Sequence, residues 1–148
     1  MVGFEVAEGW VVQAYRYALD PTPAQVRMLA SHAGAARFAY NHMLALVRAN
    51  RAQRAAERSY GVAGDVLTPS LGWSLAALRK EWNRRKHECA PWWGENSKEA
   101  YNTGLDALAR GLDNWNKSRN GERAGAAVGF PRFKSARGRR SVSARSRR

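Results

Sequence analysis

A single cysteine, Cys89, stands among 148 residues, so neither an internal disulfide nor a cysteine zinc ribbon can be built. Such sparing use of cysteine suits the cytoplasm, which is the expected location. Acidic residues are also few, 12 Asp and Glu against 25 Lys and Arg. No apolar run approaches the ~20 residues that span a bilayer. Met1–Trp10 carries Glu5 and Glu8 and no basic residue, unlike a signal or transit peptide. Neither a broad-faced basic amphipathic helix nor a lipid-anchor motif is present, so no membrane partner is expected. Catalytic spacings are missing as well. His32, His42 and His87 lack an HExxH pairing, Gly121–Gly129 lacks the Lys-Ser/Thr ending of a phosphate loop, and no Ser occupies a GxSxG elbow. No cofactor and no metal is expected.

What remains is strongly basic. Apolar residues make up 45% of the chain, enough for a core. The formal net charge of +13 needs neutralising, and the commonest partner for such a surplus is a phosphate backbone. The surplus is uneven: from Trp115 onward eleven Lys and Arg face only Glu122. Ser135–Arg148 is Ser, Ala, Gly and Arg with one Val, a composition expected to give a basic disordered tail.

Val11–Leu19 is rich in aromatic and β-branched residues in alternation and predicts a strand, ended by Asp20-Pro21. Thr22-Pro23-Ala24-Gln25 is a helix start with a capping box, and Gly34 is the expected stop. A second helix is predicted over Ala35–Arg58, with Phe38, Ala39, His42, Met43, Leu46 and Ala49 inward and Arg37, Arg48, Arg51 and Arg54 outward. A loop follows over Ser59–Ser70. A third helix is expected over Ser70–Glu88, on Leu71, Leu75, Leu78 and Trp82, and Pro91 breaks it. The fourth, Ser97–Lys117, carries Tyr101, Leu105, Leu108, Leu112 and Trp115 on one stripe. Gly104 and Gly111 lie seven apart in it, where another backbone could come close. Asn120-Gly121 is a turn, and Val128–Lys134 reads as extended because Phe130 precedes a proline.

The residues that could carry chemistry mostly have bland readings. Asp106 and Asp113 stand four residues before Arg110 and Lys117 and are expected to pair with them. Cys89 and His42 are expected to be packing residues, and so are Trp73, Trp82 and Trp115. Trp92-Trp93 is expected to plug a loop onto the helices. The segment Gly129-Phe130-Pro131-Arg132-Phe133-Lys134 is more informative. It joins two aromatics to two cations in an extended stretch that can follow a phosphate backbone. Two readings stay open: the phenylalanines stack on bases, or they anchor the segment while only the cations touch ligand.

Four segments, in order, resemble the transposon-encoded TnpB (OrfB) proteins. Tyr15–Gln25 (YRYALDPTPAQ) is similar to their opening, and Gly34–Asn41 (GAARFAYN) to their next motif. Leu105–Leu112 (LDALARGL) is similar to the helix before their basic loop, and Gly129–Lys134 (GFPRFK) to their "G-PrFK" signature. The resemblance implies the N-terminal region of the family, a helix-turn-helix transposase domain. In full-length relatives that region forms the recognition lobe and part of a wedge-like β-barrel, as in the related type V CRISPR nucleases. Those parts hold guide RNA and inspect target DNA. Cutting belongs to a later RuvC-like domain that houses a zinc ribbon.

The expected fold is α+β, mainly α: a small helical bundle with an N-terminal strand and a C-terminal extended segment. Val11–Leu19 would pair with Phe130–Lys134 or with strands downstream. Residues 1–10 would be an extension, 11–134 the nucleic-acid-binding domain and 135–148 the tail. The expected function is binding of DNA or guide RNA without cutting, the chain stopping before the nuclease and so not being an enzyme. A fragment acting only as an interaction module for a separate nuclease chain is the alternative. The expected contacts are Arg16, Arg37, Asn41, Arg48, Arg132, Phe133, Lys134, Arg137, Arg139 and Arg140. Most would meet phosphates, and Asn41 would read a base edge.

Overall fold

Thr22 caps the first helix as its sequence dictates. In a computed structural model, which describes residues 8–136, the Gln25 N–H donates to Thr22 Oγ1 at 3.3 Å. The Thr22 N–H donates back to Gln25 Oε1 at 2.9 Å, completing the capping box. The helix, α1, runs Pro23–Ser59, 37 residues, so the two helices expected on either side of Gly34 are one. Ala33, Ala35 and Ala36 around the glycine are the best helix formers, and Gly34 itself costs only about 1 kcal/mol. Burial of Ala35, Ala39 and Tyr40 holds the helix through it. The real stop is Gly61, whose φ is +79°. There the Gly61 N–H donates to Arg58 O and the Val62 N–H to Glu57 O, both at 3.0 Å, which satisfies the last carbonyls.

The next helix, α2, is Leu75–Cys89, capped by Ser74, and starts later than the expected Ser70. Asn50 explains the late start. Its Nδ2 donates to Pro69 O at 2.8 Å and its Oδ1 accepts from Leu71 N–H at 3.0 Å, pinning that backbone in a loop. After a single 3-10 turn at Trp93–Glu95, α3 runs Lys98–Arg119 with Ser97 as its cap. It ends at Gly121, φ +74°, in the same arrangement as α1.

The two long helices meet without intervening side chains at one point. A Cβ on Gly104 would lie 2.1 Å from the Ala36 carbonyl oxygen, so only glycine permits the contact. Gly111, two turns further along α3, faces the Pro131 ring, which a Cβ there would approach to 3.3 Å, a tight contact but a less severe one. The core joins Met43, Leu44 and Val47 of α1, Leu78 and Trp82 of α2, and Leu105, Leu108 and Leu112 of α3. The α1 stripe is thus rotated from the expected one: Met43 and Ala39 are inside, Phe38 and Leu46 lie at the margin, and Ala49 is exposed.

The expected α+β class is wrong. Among the described residues there is no strand, and the fold is a helical bundle with a long coil at each end. Val11–Leu19 has the composition of a strand, but a strand exists only by pairing. Val11 and Leu19 are more than four-fifths exposed. The segment expected to pair with it, Phe130–Lys134, is extended but satisfies its backbone on α1 side chains instead. No helix among the described residues is long and apolar enough to cross a membrane.

Candidate nucleic-acid interface

The segment Val128–Lys134 lies as a strap across α1 and α3. Val128 N–H is held by Ser118 Oγ at 2.9 Å. The Phe130 ring enters between helices, edge-on to Trp115 at 5.0 Å and to Trp73 at 6.3 Å. Pro131 is buried, and Arg48 Nη2 donates to its carbonyl at 2.9 Å. Asn41 then grips the strap twice: its Nδ2 donates to Lys134 O, and its Oδ1 accepts from Lys134 N–H, each at 2.8 Å. Both ends of the amide are occupied by backbone. Beyond these anchors Phe133 stays 52% exposed, and Lys134 Nζ lies 4.2 Å from the centre of the Tyr40 ring.

Beside the strap runs an open basic groove of about 750 Å³. Arg48, Arg51, Arg54 and Arg58 line it from α1, Arg119 from α3 and Phe130 from the strap, and no carboxylate does. The four α1 arginines recur every three or four residues, which is one helical face. Among the described residues, none of these five is in an ion pair. Arg51 and Arg119 flank the Trp115 ring at 4.8 and 5.0 Å, so indole faces hold both guanidinium groups in place. Arg54 also donates to Thr68 O. Glu57, three residues beyond Arg54 on α1, is held below the usual carboxylate range by hydrogen bonds from Thr68 and Gln53, with a smaller contribution from the Arg54 charge.

The ten expected contact residues are therefore only partly brought together. Arg48, Arg132, Phe133 and Lys134 gather at the strap and groove. Arg16 is exposed on the coil before α1. Arg37 lines a different cavity of about 590 Å³, with Phe38, Asn41, His42 and Trp92. Arg137, Arg139 and Arg140 lie outside the described residues. Arg51, Arg54, Arg58 and Arg119 were not among the expected contacts. The outward periodicity of Arg48, Arg51 and Arg54 extends to Arg58, but nothing local in the sequence shows that Arg119 returns to the same groove.

The remaining candidates are structural. Asp106 pairs with Arg110 and Asp113 with Lys117, each at 2.7 Å. Cys89 is half-buried, and burial pushes its thiol up, away from the reactive thiolate. His42 stacks on Phe38 at 5.8 Å and meets Trp82 at 6.3 Å. It is less satisfied than a core histidine should be, because its buried Nε2 has no partner among the described residues. Burial, reinforced by Arg85, lowers its pKa. Trp92 packs edge-on against Phe38 at 5.1 Å, and Tyr101 Oη donates to Trp93 O at 2.8 Å, so the Trp pair does plug the loop.

Residues 11–56 match a family model described as a helix-turn-helix domain, of the OrfB kind. Two curated proteins from two strains of Mycobacterium tuberculosis, each named "Putative RNA-guided DNA endonuclease", are 42% identical over 141 residues. The alignment covers 90% of this chain and 29% of each relative. The chain is related to the TnpB/OrfB proteins. It spans about 29% of the length of the curated relatives it matches. The helix-turn-helix description fits the sequence family better than the shape. In this TnpB-related chain, the matched residues hold an extended lead and one unbroken helix, with no turn between Pro23 and Ser59.

Proposed function

We propose that the chain binds nucleic acid, target DNA or guide RNA, through phosphate contacts along the α1 groove, and does not cut it. The observation that carries this reading is the groove itself: five arginines, free of ion pairs among the described residues, converge there, and no carboxylate lines it. Cations so arranged gain most by neutralising successive phosphates. Arg132 and Lys134 on the strap and Arg37 extend the positive face, with the tail cations Arg137, Arg139 and Arg140 adding salt-sensitive affinity. Asn41 holds the strap rather than reading a base. The paired Asp106 and Asp113 have no part in the chemistry.

Replacing Arg58 and Arg132, two exposed residues, with Ala tests the reading. The slope of log K against log salt should become shallower by roughly 1.4 on a single strand or 1.8 on a duplex, one phosphate contact per cation lost. An unchanged slope in a folded variant contradicts it.

One observation favours a second reading. Trp10, Val11, Tyr15, Tyr17 and Leu19 are each 71–83% exposed, a stretch suited to pairing with another polypeptide, such as a separate nuclease chain.

A further inference from the structure

The strap separates its two phenylalanines. Phe130 is consumed by the fold, wedged against Trp73 and Trp115, with the Arg51 guanidinium 4.6 Å from its centre. Phe133 is left 52% exposed. We propose that Phe133 is the stacking platform for one unpaired nucleobase of a single strand. This rests on the nucleic-acid reading above and specifies what that site takes besides phosphate.

Three features support it. The ring has a fixed backing, because the Arg48 guanidinium lies 4.9 Å from its centre and is itself tied to Pro131 O at 2.9 Å. An aromatic ring with an arginine beneath it keeps its outer face for a second π partner. The ring also cannot sink into the core. Pro131, packed on Gly111, precedes it, and the Asn41 clamp on Lys134 follows it. Finally, its chain neighbours Arg132 and Lys134 are exposed cations, placed to meet the phosphates on either side of a stacked base. A base inside a duplex offers no free face, so the platform selects unpaired nucleotides. Every base has such a face, so it does so with little preference for sequence.

The test compares wild type, Phe133→Leu and Phe133→Trp on four probes of equal length: oligothymidylate, oligouridylate, an abasic deoxyribose-phosphate strand and a blunt duplex. Phe133→Leu should weaken binding to the first, the second or both by about 5- to 150-fold, the range of one lost base–aromatic stack. Binding to the abasic strand and the duplex should be unchanged, and the salt slope should stay as in wild type. Phe133→Trp should restore affinity. Which of the two base-bearing strands responds tells whether DNA or RNA supplies the base. Unchanged affinity for both, with salt-dependent binding intact, overturns the stacking platform and leaves the phosphate groove standing. So does an equal loss on the abasic strand. A folded wild-type chain that binds none of the four overturns both.

Discussion

His42 lies face to face with Phe38, its Nε2 buried and unpaired among the described residues. A proton there would bring an unpartnered charge into a ring stack beside Arg85, and burial is the larger of the two effects that lower its pKa. The unfolded chain takes up that proton near the ordinary 6.5, while the folded chain resists it. Stability is therefore full above about pH 6.5 and falls as pH drops toward the lower folded value. Urea midpoints measured across that range should decline, and His42→Phe, which keeps the ring stack, should flatten the decline. Asn41 is the other decisive single residue. Asn41→Ala removes two hydrogen bonds to Lys134 and should cost about 1–2 kcal/mol in urea unfolding. Asn41→Asp keeps the acceptor for Lys134 N–H but sets a carboxylate oxygen against Lys134 O, two acceptors in contact, and should not recover the loss. An Asn41→Ala variant as stable as wild type would mean that the clamp contributes nothing.

At the scale of the element, two glycines in helices have opposite meanings. Gly34 sits in α1 with only the end of the flexible Arg37 side chain, 4.0 Å away, near its missing Cβ. Gly34→Ala should raise stability by about 1 kcal/mol. Gly104 meets the Ala36 carbonyl, so Gly104→Ala must push α1 and α3 apart, and thermal melting should show a loss of more than about 3 kcal/mol or no folded state. A tolerated Gly104→Ala would contradict the close crossing. These elements also show what sequence can and cannot reveal. Thr22 and Gln25 mark a helix start by local chemistry, and the start stands where they put it. So do the i, i+4 pairs of α3. The Gly34 break failed because a glycine stops a helix only where burial beyond it is absent: Ala35 is buried, and the Ala36 carbonyl meets Gly104 of α3, some 70 positions on. The helix expected from Ser70 starts only after Ser74, because Asn50, another distant residue, holds Pro69 and Leu71 in a loop. The strand at Val11–Leu19 failed because propensity describes one strand, and pairing needs two. The basic face of α1 was legible from its period. Asn41 was not, because its partner Lys134 is remote in sequence and lends only backbone.

At the scale of the molecule, three helices set a rigid platform, and the strap completes one positive face on it. Arginines from α1 and α3 reach that face together only because Gly104 lets the helices run side by side. The most direct measurement is a salt titration of the intact chain against a labelled nucleic acid, single-stranded and duplex. If each of the five groove arginines neutralises one phosphate, log K falls linearly with log salt, with a slope of roughly −3.5 on a single strand or −4.5 on a duplex. Tail cations can only steepen it. A folded chain that binds neither form at low ionic strength, or binds with a slope near zero, would contradict the account.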